Sequence, residues 1–209
     1  MKRNDNVWSF HVHLLFTCLL YAAIRHQERI MKGVVFIAFN QMVEDQVGID
    51  TWERLLKEVM PESEGIYTSV EDYPDSELFT MVGALSKIVD VPVPTLVEQF
   101  GAYMFGVLNS KYPIFSAQQP DFFSFIKSID SVIHKEVRKL YDSPSLPTLD
   151  CEQIDEHTLT IKYTSPRKLC FLAEGLIRGS AKHYGVDYSL KHDTCMHNNS
   201  DHCFITLTI

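Results

Sequence analysis

The chain has no excess of basic residues, and this lack excludes two classes of partner. Lysine and arginine together number 19, against 27 aspartates and glutamates among 209 residues, so the formal net charge is -8. Nucleic acids and acidic membrane surfaces both reward clustered positive charge. Because no basic stripe runs along the sequence, we expect neither nucleic acid nor a membrane to be the main partner.

Cysteine is scarce, and its pattern excludes a small secreted scaffold held by disulfides. The five cysteines are odd in number and widely spaced, unlike a dense even framework; they are Cys18, Cys151, Cys170, Cys195 and Cys203. With 45% hydrophobic residues, a chain of this length buries a core without disulfides. We therefore predict reduced thiols and a cytoplasmic protein.

Repeats, low-complexity blocks and long linkers are also missing, so residues 31–209 are predicted to form one domain. Residues 1–30 stand apart as an extension of uncertain status. Their apolar run is broken by His11 and His13, is too short for a membrane span, and has no clear cleavage site after it. One interpretation is a poor signal peptide. The one we favour is a start at Met31, with residues 1–30 a mis-assigned or disordered segment.

Helical spacing dominates the first two thirds of the chain. Apolar periodicity predicts four helices before Tyr112, over residues 34–47, 52–59, 76–89 and 95–109, the second opened by a capping box at Asp50–Glu53. A fifth is predicted over 121–141, with His134 beside its apolar stripe.

The predicted secondary structure changes after Pro147. Residues 157–163 alternate like a half-buried strand, 168–184 return to helix with Gly185 as C-terminal cap, and 186–192 and 204–209 are predicted as two joined strands. This order of helices first, then mixed helix and strand, predicts the α+β class.

One group of residues within these predicted elements is suited to bind a ligand. Tyr163, Ser165 and Arg167 stand at i, i+2 and i+4, which is one face of an extended segment, and together they are suited to clamp a pair of carboxylates. Haem carries two propionates, and His134 on the preceding helix offers a nitrogen ligand for iron. Taken alone, His134 is more simply a half-exposed histidine paired with Asp130 or Glu136.

These residues in this order closely resemble the H-NOX family of haem domains that bind nitric oxide and oxygen, a fold shared with the haem domain of soluble guanylyl cyclase. The resemblance includes the Met31 start, the IDSVIH run that ends at His134, and the YxSxR run from Tyr163 to Arg167. It implies a helical N-terminal half and a C-terminal half of helix and antiparallel sheet around a buried haem b. His134 would be the proximal iron ligand, the YxSxR side chains would bind the propionates, and Pro147 would press on the porphyrin.

The resemblance also bears on gas selectivity. Family members that hold oxygen use a distal tyrosine with tryptophan and asparagine support, and the matching positions here are Leu172, Phe39 and Met104. None offers a hydrogen-bond donor. Bound oxygen draws charge from ferrous iron and gains much from a donor, so we expect nitric oxide and carbon monoxide as ligands and oxygen to be excluded.

A second metal is predicted near the C-terminus. The spacing of the cysteines and one histidine there is compatible with structural zinc held by Cys170, His192, Cys195 and Cys203. A branch of bacterial H-NOX proteins carries such a site. The alternatives are four buried or free side chains, or a ligand role for His197 or His202. With zinc bound, thiol oxidation would add a redox input.

The function expected from these features is that of a sensor and not an enzyme, since paired carboxylates, a nucleophile with its base and a phosphate loop are all missing. The resemblance implies that the sensor regulates a separate signalling protein, a histidine kinase or an enzyme of cyclic-di-GMP turnover. The alternatives are a haem enzyme that turns over nitric oxide or peroxide, and a zinc-stabilised, redox-sensing interaction module in which haem is secondary or missing.

Overall fold

Helices form most of the first part of the chain. The computed structural model describes residues 29–140 and 146–209, so most of the predicted extension, with Cys18, lies outside the described residues. Between Arg29 and Tyr112 lie four helices: α1 Gly33–Val47, α2 Ile49–Val59, α3 Asp75–Val89 and α4 Val93–Lys111. A two-stranded antiparallel ribbon, β1 Ile30–Lys32 with β2 Asp72–Pro74, was not predicted.

The four predicted helices are confirmed, but the predicted capping box of the second is wrong. Helix α2 begins at Ile49 after Gly48, whose φ of 98° is open to glycine, and no side chain caps it. The Thr51 hydroxyl instead donates to the carbonyl of Val47 at 3.1 Å. Thr51 is the third residue of α2 and therefore not its cap.

The predicted fifth helix is divided by a π-helical turn. After the short α5 at Ile114–Ala117 come α6 at Phe122–Ser128, the π turn at Ile129–His134 and α7 at Lys135–Leu140. The prediction of one uniform α-helix was therefore wrong, and its predicted end at Tyr141 lies outside the described residues. π turns occur mostly at functional sites, and this one ends on His134.

The second part of the chain is built on an antiparallel sheet of order β3-β4-β6-β5. Its strands are β3 Thr148–Gln153, β4 Thr158–Thr164, β5 Ser189–Thr194 and β6 Cys203–Thr208. The predicted alternation is confirmed, because Leu159, Ile161 and Tyr163 of β4 point into the core. Helix α8, Cys170–Tyr184, ends as predicted at Gly185 in the left-handed conformation. Strand β3 was not predicted.

Two apolar cores result, one among helices α1 to α4 and one between the sheet and helices α6 and α8. Helices α4 and α8 connect them at a crossing that requires glycine on both sides. A Cβ on Gly101 would lie 2.3 Å from the carbonyl oxygen of Leu172, and one on Gly175 would lie 2.0 Å from that of Glu98. This close approach fixes Leu172 against the helical core.

The α+β class, with a helical first half and an antiparallel sheet in the second, is confirmed. Among the described residues, no single helix has the length and apolar composition to cross a bilayer. Helices α3 and α4 meet that criterion only as a pair, and they are bent by 110° relative to each other.

Candidate functional site

His134, the predicted iron ligand, is held from one side by a carboxylate. Its Nδ1 lies 3.1 Å from Oδ1 of Asp130, which also accepts from Nη2 of Arg138 at 3.1 Å. A carboxylate only accepts hydrogen bonds, so Nδ1 carries the proton and Nε2 keeps the lone pair that a metal needs. Of the two partners left open by the sequence, the structure places Asp130 here and pairs Glu136 with a lysine.

The surroundings of His134 keep the imidazole neutral. Burial lowers the pKa of His134 below its ordinary value, although its hydrogen bonds to the Asp130 carboxylate and to the Pro147 backbone, both of which accept, act in the opposite direction. Neutral imidazole is the form that binds a metal. Pro147, the predicted proximal proline, is therefore in contact with His134, the predicted iron ligand.

The YxSxR side chains arrive from a strand end and a turn. Tyr163 is buried on β4, Ser165 is buried just beyond it, and the chain then turns so that the amide of Lys168 donates to the Ser165 carbonyl at 3.1 Å. The predicted end of the ladder near Pro166 is confirmed. The prediction of one extended segment through Arg167 is wrong, since Arg167 lies in the turn. Burial raises the pKa of Tyr163 to about 12, so its phenol stays a donor.

Arg167 forms a buried ion pair that connects the two parts of the fold. Its Nε lies 2.8 Å from Oδ2 of Asp75 at the start of α3, and both side chains are nearly buried, at 8% and 11% exposure. Its Nη2 donates to the carbonyl of Ile30 in β1. Asp75 was not predicted as a partner of Arg167, because no local sequence pattern links positions this far apart in the chain.

Arg29, the residue before β1, contacts both the turn that carries Arg167 and the start of α3. Nη1 of Arg29 donates to the carbonyl of Pro166 at 2.6 Å, and the carbonyl of Arg29 accepts from the amide of Asp75 at 2.9 Å. The described fold therefore begins two residues ahead of Met31, within the segment predicted as an extension.

The predicted distal residues lie together in the helical core. Phe39 and Met104 are buried there, and the partly buried Leu172 packs against the same core from α8. Phe39 is fixed edge-on between Trp52 and Phe100. This wall offers apolar surface and no hydrogen-bond donor from its three predicted members. The roles of these residues, like that of His134, stay predictions.

The four predicted zinc ligands converge. One donor atom from each of Cys170, His192, Cys195 and Cys203 lies within 4.8 Å of every other. The side chains come from the first residue of α8, from β5, from the residue that follows β5 and from the first residue of β6. The alternatives are engaged elsewhere: Nε2 of His197 contacts the Lys168 carbonyl at 2.8 Å, and Nδ1 of His202 contacts Asp201 at 2.5 Å.

The chemistry of this cluster suits a soft divalent cation. Burial, reinforced by the neighbouring thiols, raises the pKa of Cys170, and burial also raises that of Cys203. Protonated thiols so close together form few good hydrogen bonds, and Cys170 and Cys195 lie only 3.9 Å apart, sulfur to sulfur. A cation would reverse these shifts and take thiolates as ligands. Nε2 of His192 is buried without any hydrogen-bond partner among the described residues.

Comparison with known proteins agrees with this geometry. The Haem-NO-binding family model matches residues 32–192. The fold matches that of an H-NOX protein from Shewanella oneidensis in the Fe(II)NO state, at 37% identity and a TM-score of 0.79, covering 85% of this chain and 98% of that one. The Fe(II)CO structure of an H-NOX domain from the same organism matches at 37% identity, a TM-score of 0.78, and 86% and 98% coverage.

A longer relative extends the comparison to animals. Soluble guanylate cyclase gcy-32 of Caenorhabditis elegans is 22% identical over 166 residues, which are 77% of this chain and 24% of the cyclase. The chain thus spans about a quarter of that relative's length. The family model matches most of this chain, and the fold agrees with the match. This chain therefore belongs to the H-NOX family of haem-NO-binding domains.

Proposed function

We propose that this chain is a haem-based sensor of nitric oxide that excludes oxygen, and that residues 31–209 form its haem-binding domain. The observation that carries the proposal is the imidazole of His134, held at Nδ1 by the Asp130 carboxylate, in one fold with the Tyr163, Ser165 and Arg167 donors. This donor set suits haem b, which needs one nitrogen ligand and partners for two propionates. When bound, haem supplies a ferrous iron with one open position for a gas.

The distal wall is proposed to decide which gas binds. Oxygen gains from a donor that stabilises the negative charge it acquires, whereas nitric oxide and carbon monoxide take up little charge. Phe39, Met104 and Leu172 provide no such donor, and their packing in the helical core leaves them fixed. The wall therefore withholds stabilisation from oxygen while leaving the other two gases nearly unaffected.

Replacing Leu172 by tyrosine should give the pocket a measurable oxygen affinity. A hydrogen bond to a charged acceptor contributes about 1.5–3 kcal/mol, which corresponds to roughly 10- to 100-fold in affinity. Leu172→Phe is the matched control, because it adds the same ring without the hydroxyl. Oxygen titration of the ferrous protein, monitored by absorbance, measures the difference.

The tyrosine variant must exceed the phenylalanine variant for the selectivity argument to stand. Equal oxygen affinities would place the selectivity outside this wall. Carbon monoxide affinity, measured in parallel, should change by less than the oxygen affinity in either variant, because this gas needs no donor.

Signalling is proposed to start at the proximal side. With haem bound, His134 would hold the iron, and the loss of this contact when nitric oxide binds would free the π turn that carries His134. Pro147 contacts His134, and Arg167 connects the sheet half to the helical half through Asp75. A shift of one half against the other would present a partner with two distinct surfaces.

The partner proposed for this surface is a separate signalling protein, a histidine kinase or a cyclic-di-GMP enzyme, as the family resemblance implies. The domain itself would act as a sensor and not as a catalyst, in the cytoplasm. The Cys151, Cys170, Cys195 and Cys203 thiols are all free in the structure, in keeping with a reducing compartment.

We also propose a zinc ion held by Cys170, His192, Cys195 and Cys203. Four donor atoms within 4.8 Å of one another and the orphaned Nε2 of His192 support it. Zinc takes four such ligands in tetrahedral structural sites. Freshly purified, reduced protein should contain one zinc per chain by elemental analysis, and Cys195→Ser should lose most of it. Reduced protein free of stoichiometric zinc would remove this proposal and, with it, a redox input through these thiols.

A further inference from the structure

Glu174 contacts His192, the histidine of the proposed metal site. Its Oε1 lies 2.6 Å from Nδ1 of His192, and the two side chains are 13% and 14% exposed. As a carboxylate only accepts, Nδ1 carries the hydrogen and the lone pair is placed on Nε2. That same Nε2 is the buried side-chain nitrogen that has no partner among the described residues.

The backbone presents these groups together. Glu174 follows Cys170 by one helical turn, so both project from the same face of α8. His192 comes from β5 at the point where its pairing with β6 shifts register, between His192 and Thr194. Such irregularities re-aim side chains, and this one begins at His192.

An ordinary buried ion pair explains this arrangement less well. If His192 were protonated merely to balance Glu174, its Nε2–H would be a buried donor without an acceptor, which is costly. A neutral ring whose Nε2 faces a cation satisfies both nitrogens. Metal-bound histidines in proteins usually donate their other nitrogen to a carboxylate or carbonyl, which fixes the tautomer and strengthens the ligand.

We propose that Glu174 is the positioning residue of the metal site: it orients His192 and selects the tautomer that binds the ion. This inference rests on the proposed zinc site. Glu174 is not itself a ligand, because its nearest oxygen is engaged by His192 and it lies outside the set of four converging donors.

Zinc affinity of the full, reduced chain tests this role. After the metal is removed, each protein competes with a chromophoric chelator for added zinc under anaerobic conditions. Glu174→Ala should bind zinc about 10- to 100-fold more weakly, and Glu174→Gln should lie between it and the unchanged chain, because an amide oxygen still accepts. Glu156→Gln, an exposed change in the turn between β3 and β4, is the control and should have no effect.

A second pair of proteins separates positioning from a general structural role. In the His192→Ala background, adding Glu174→Ala should leave zinc affinity unchanged, because the group through which Glu174 acts is gone. Thermal melting of the metal-free proteins checks that each variant folds. If Glu174→Gln folds and Glu174→Ala does not, the test is whether the zinc affinity of Glu174→Gln lies between those of the unchanged chain and of His192→Ala.

The outcomes distinguish the two proposals. An unchanged chain that binds no zinc overturns the zinc site itself. An unchanged chain that binds zinc, with Glu174→Ala of equal affinity, overturns the positioning role alone. A loss of affinity from Glu174→Ala that persists in the His192→Ala background also overturns it, because the carboxylate would then act on the fold and not through His192.

Discussion

Replacing His134 by glycine should yield a folded chain that retains haem at less than about a tenth of the ratio found in the unchanged protein. The iron then loses its protein ligand, and even the loss of an outer partner of a metal ligand costs about 10- to 100-fold in affinity. The fold itself should survive. A glycine within a helix costs about 1 kcal/mol, which is small against a total stability of about 5–15 kcal/mol.

Imidazole supplied during expression should restore much of the bound haem, because the free base fills the position that the side chain vacates. The ratio of haem absorbance to protein, measured after gel filtration, reports both effects. His157→Gly, at an exposed position before β4, is the matched control and should keep its haem. Stoichiometric haem with an unchanged spectrum in His134→Gly, without imidazole, would show that another residue binds the iron.

The second large effect is expected at Arg167. Changing it to alanine leaves Asp75 as an uncompensated charge in a nearly buried position, so the free energy of unfolding should fall by about 3–5 kcal/mol. Arg178→Ala is the control, because Arg178 also pairs with a carboxylate, that of Glu98, but is half exposed. Breaking an exposed pair of that kind costs about 1 kcal/mol or less. Denaturant unfolding of the haem-free proteins measures both changes.

The double variant Arg167→Met with Asp75→Leu separates the structural role of Arg167 from its role toward haem. Replacing both members of a buried ion pair by apolar residues of similar volume is often neutral or stabilising, so stability should recover. Haem retention should not recover, since the donor for a propionate is still missing. Transfer of haem to a scavenging apoprotein should be roughly 10- to 100-fold faster than from the unchanged chain. Haem held as firmly as before would end the propionate role of Arg167.

Features set by local sequence were predictable. The alternation of β4, the helical periodicity of α1 to α4 and the left-handed glycine at the end of α8 each depend on neighbouring residues alone. The pairing of His134 with Asp130 was one of two open choices, and both lay within one helical turn. Such short-range geometry is fixed by the period of the element that carries it.

Features set by packing were not predictable from local patterns. The Asp75 partner of Arg167 and the Glu174 partner of His192 come from elements that meet only in the folded chain. The π turn is a further case: the apolar stripe of residues 121–141 fits a continuous helix, and nothing in that spacing marks where one extra residue is accommodated. Strand β3 was not predicted because its outward-facing residues are polar and most of its positions are exposed.

The absorption spectrum of the dithionite-reduced protein tests the central claim most directly, recorded first under argon, then in air after removal of the reductant, then with nitric oxide. We predict a ferrous haem spectrum under argon. Air should produce no oxygen-bound form, and nitric oxide should convert the spectrum to that of the five-coordinate nitrosyl form. This result would agree with a proximal ligand that nitric oxide displaces and with a pocket that excludes oxygen, the roles proposed for His134 and for the wall of Phe39, Met104 and Leu172. A stable oxygen-bound spectrum would contradict the distal account, and protein that binds no haem would contradict the sensor itself.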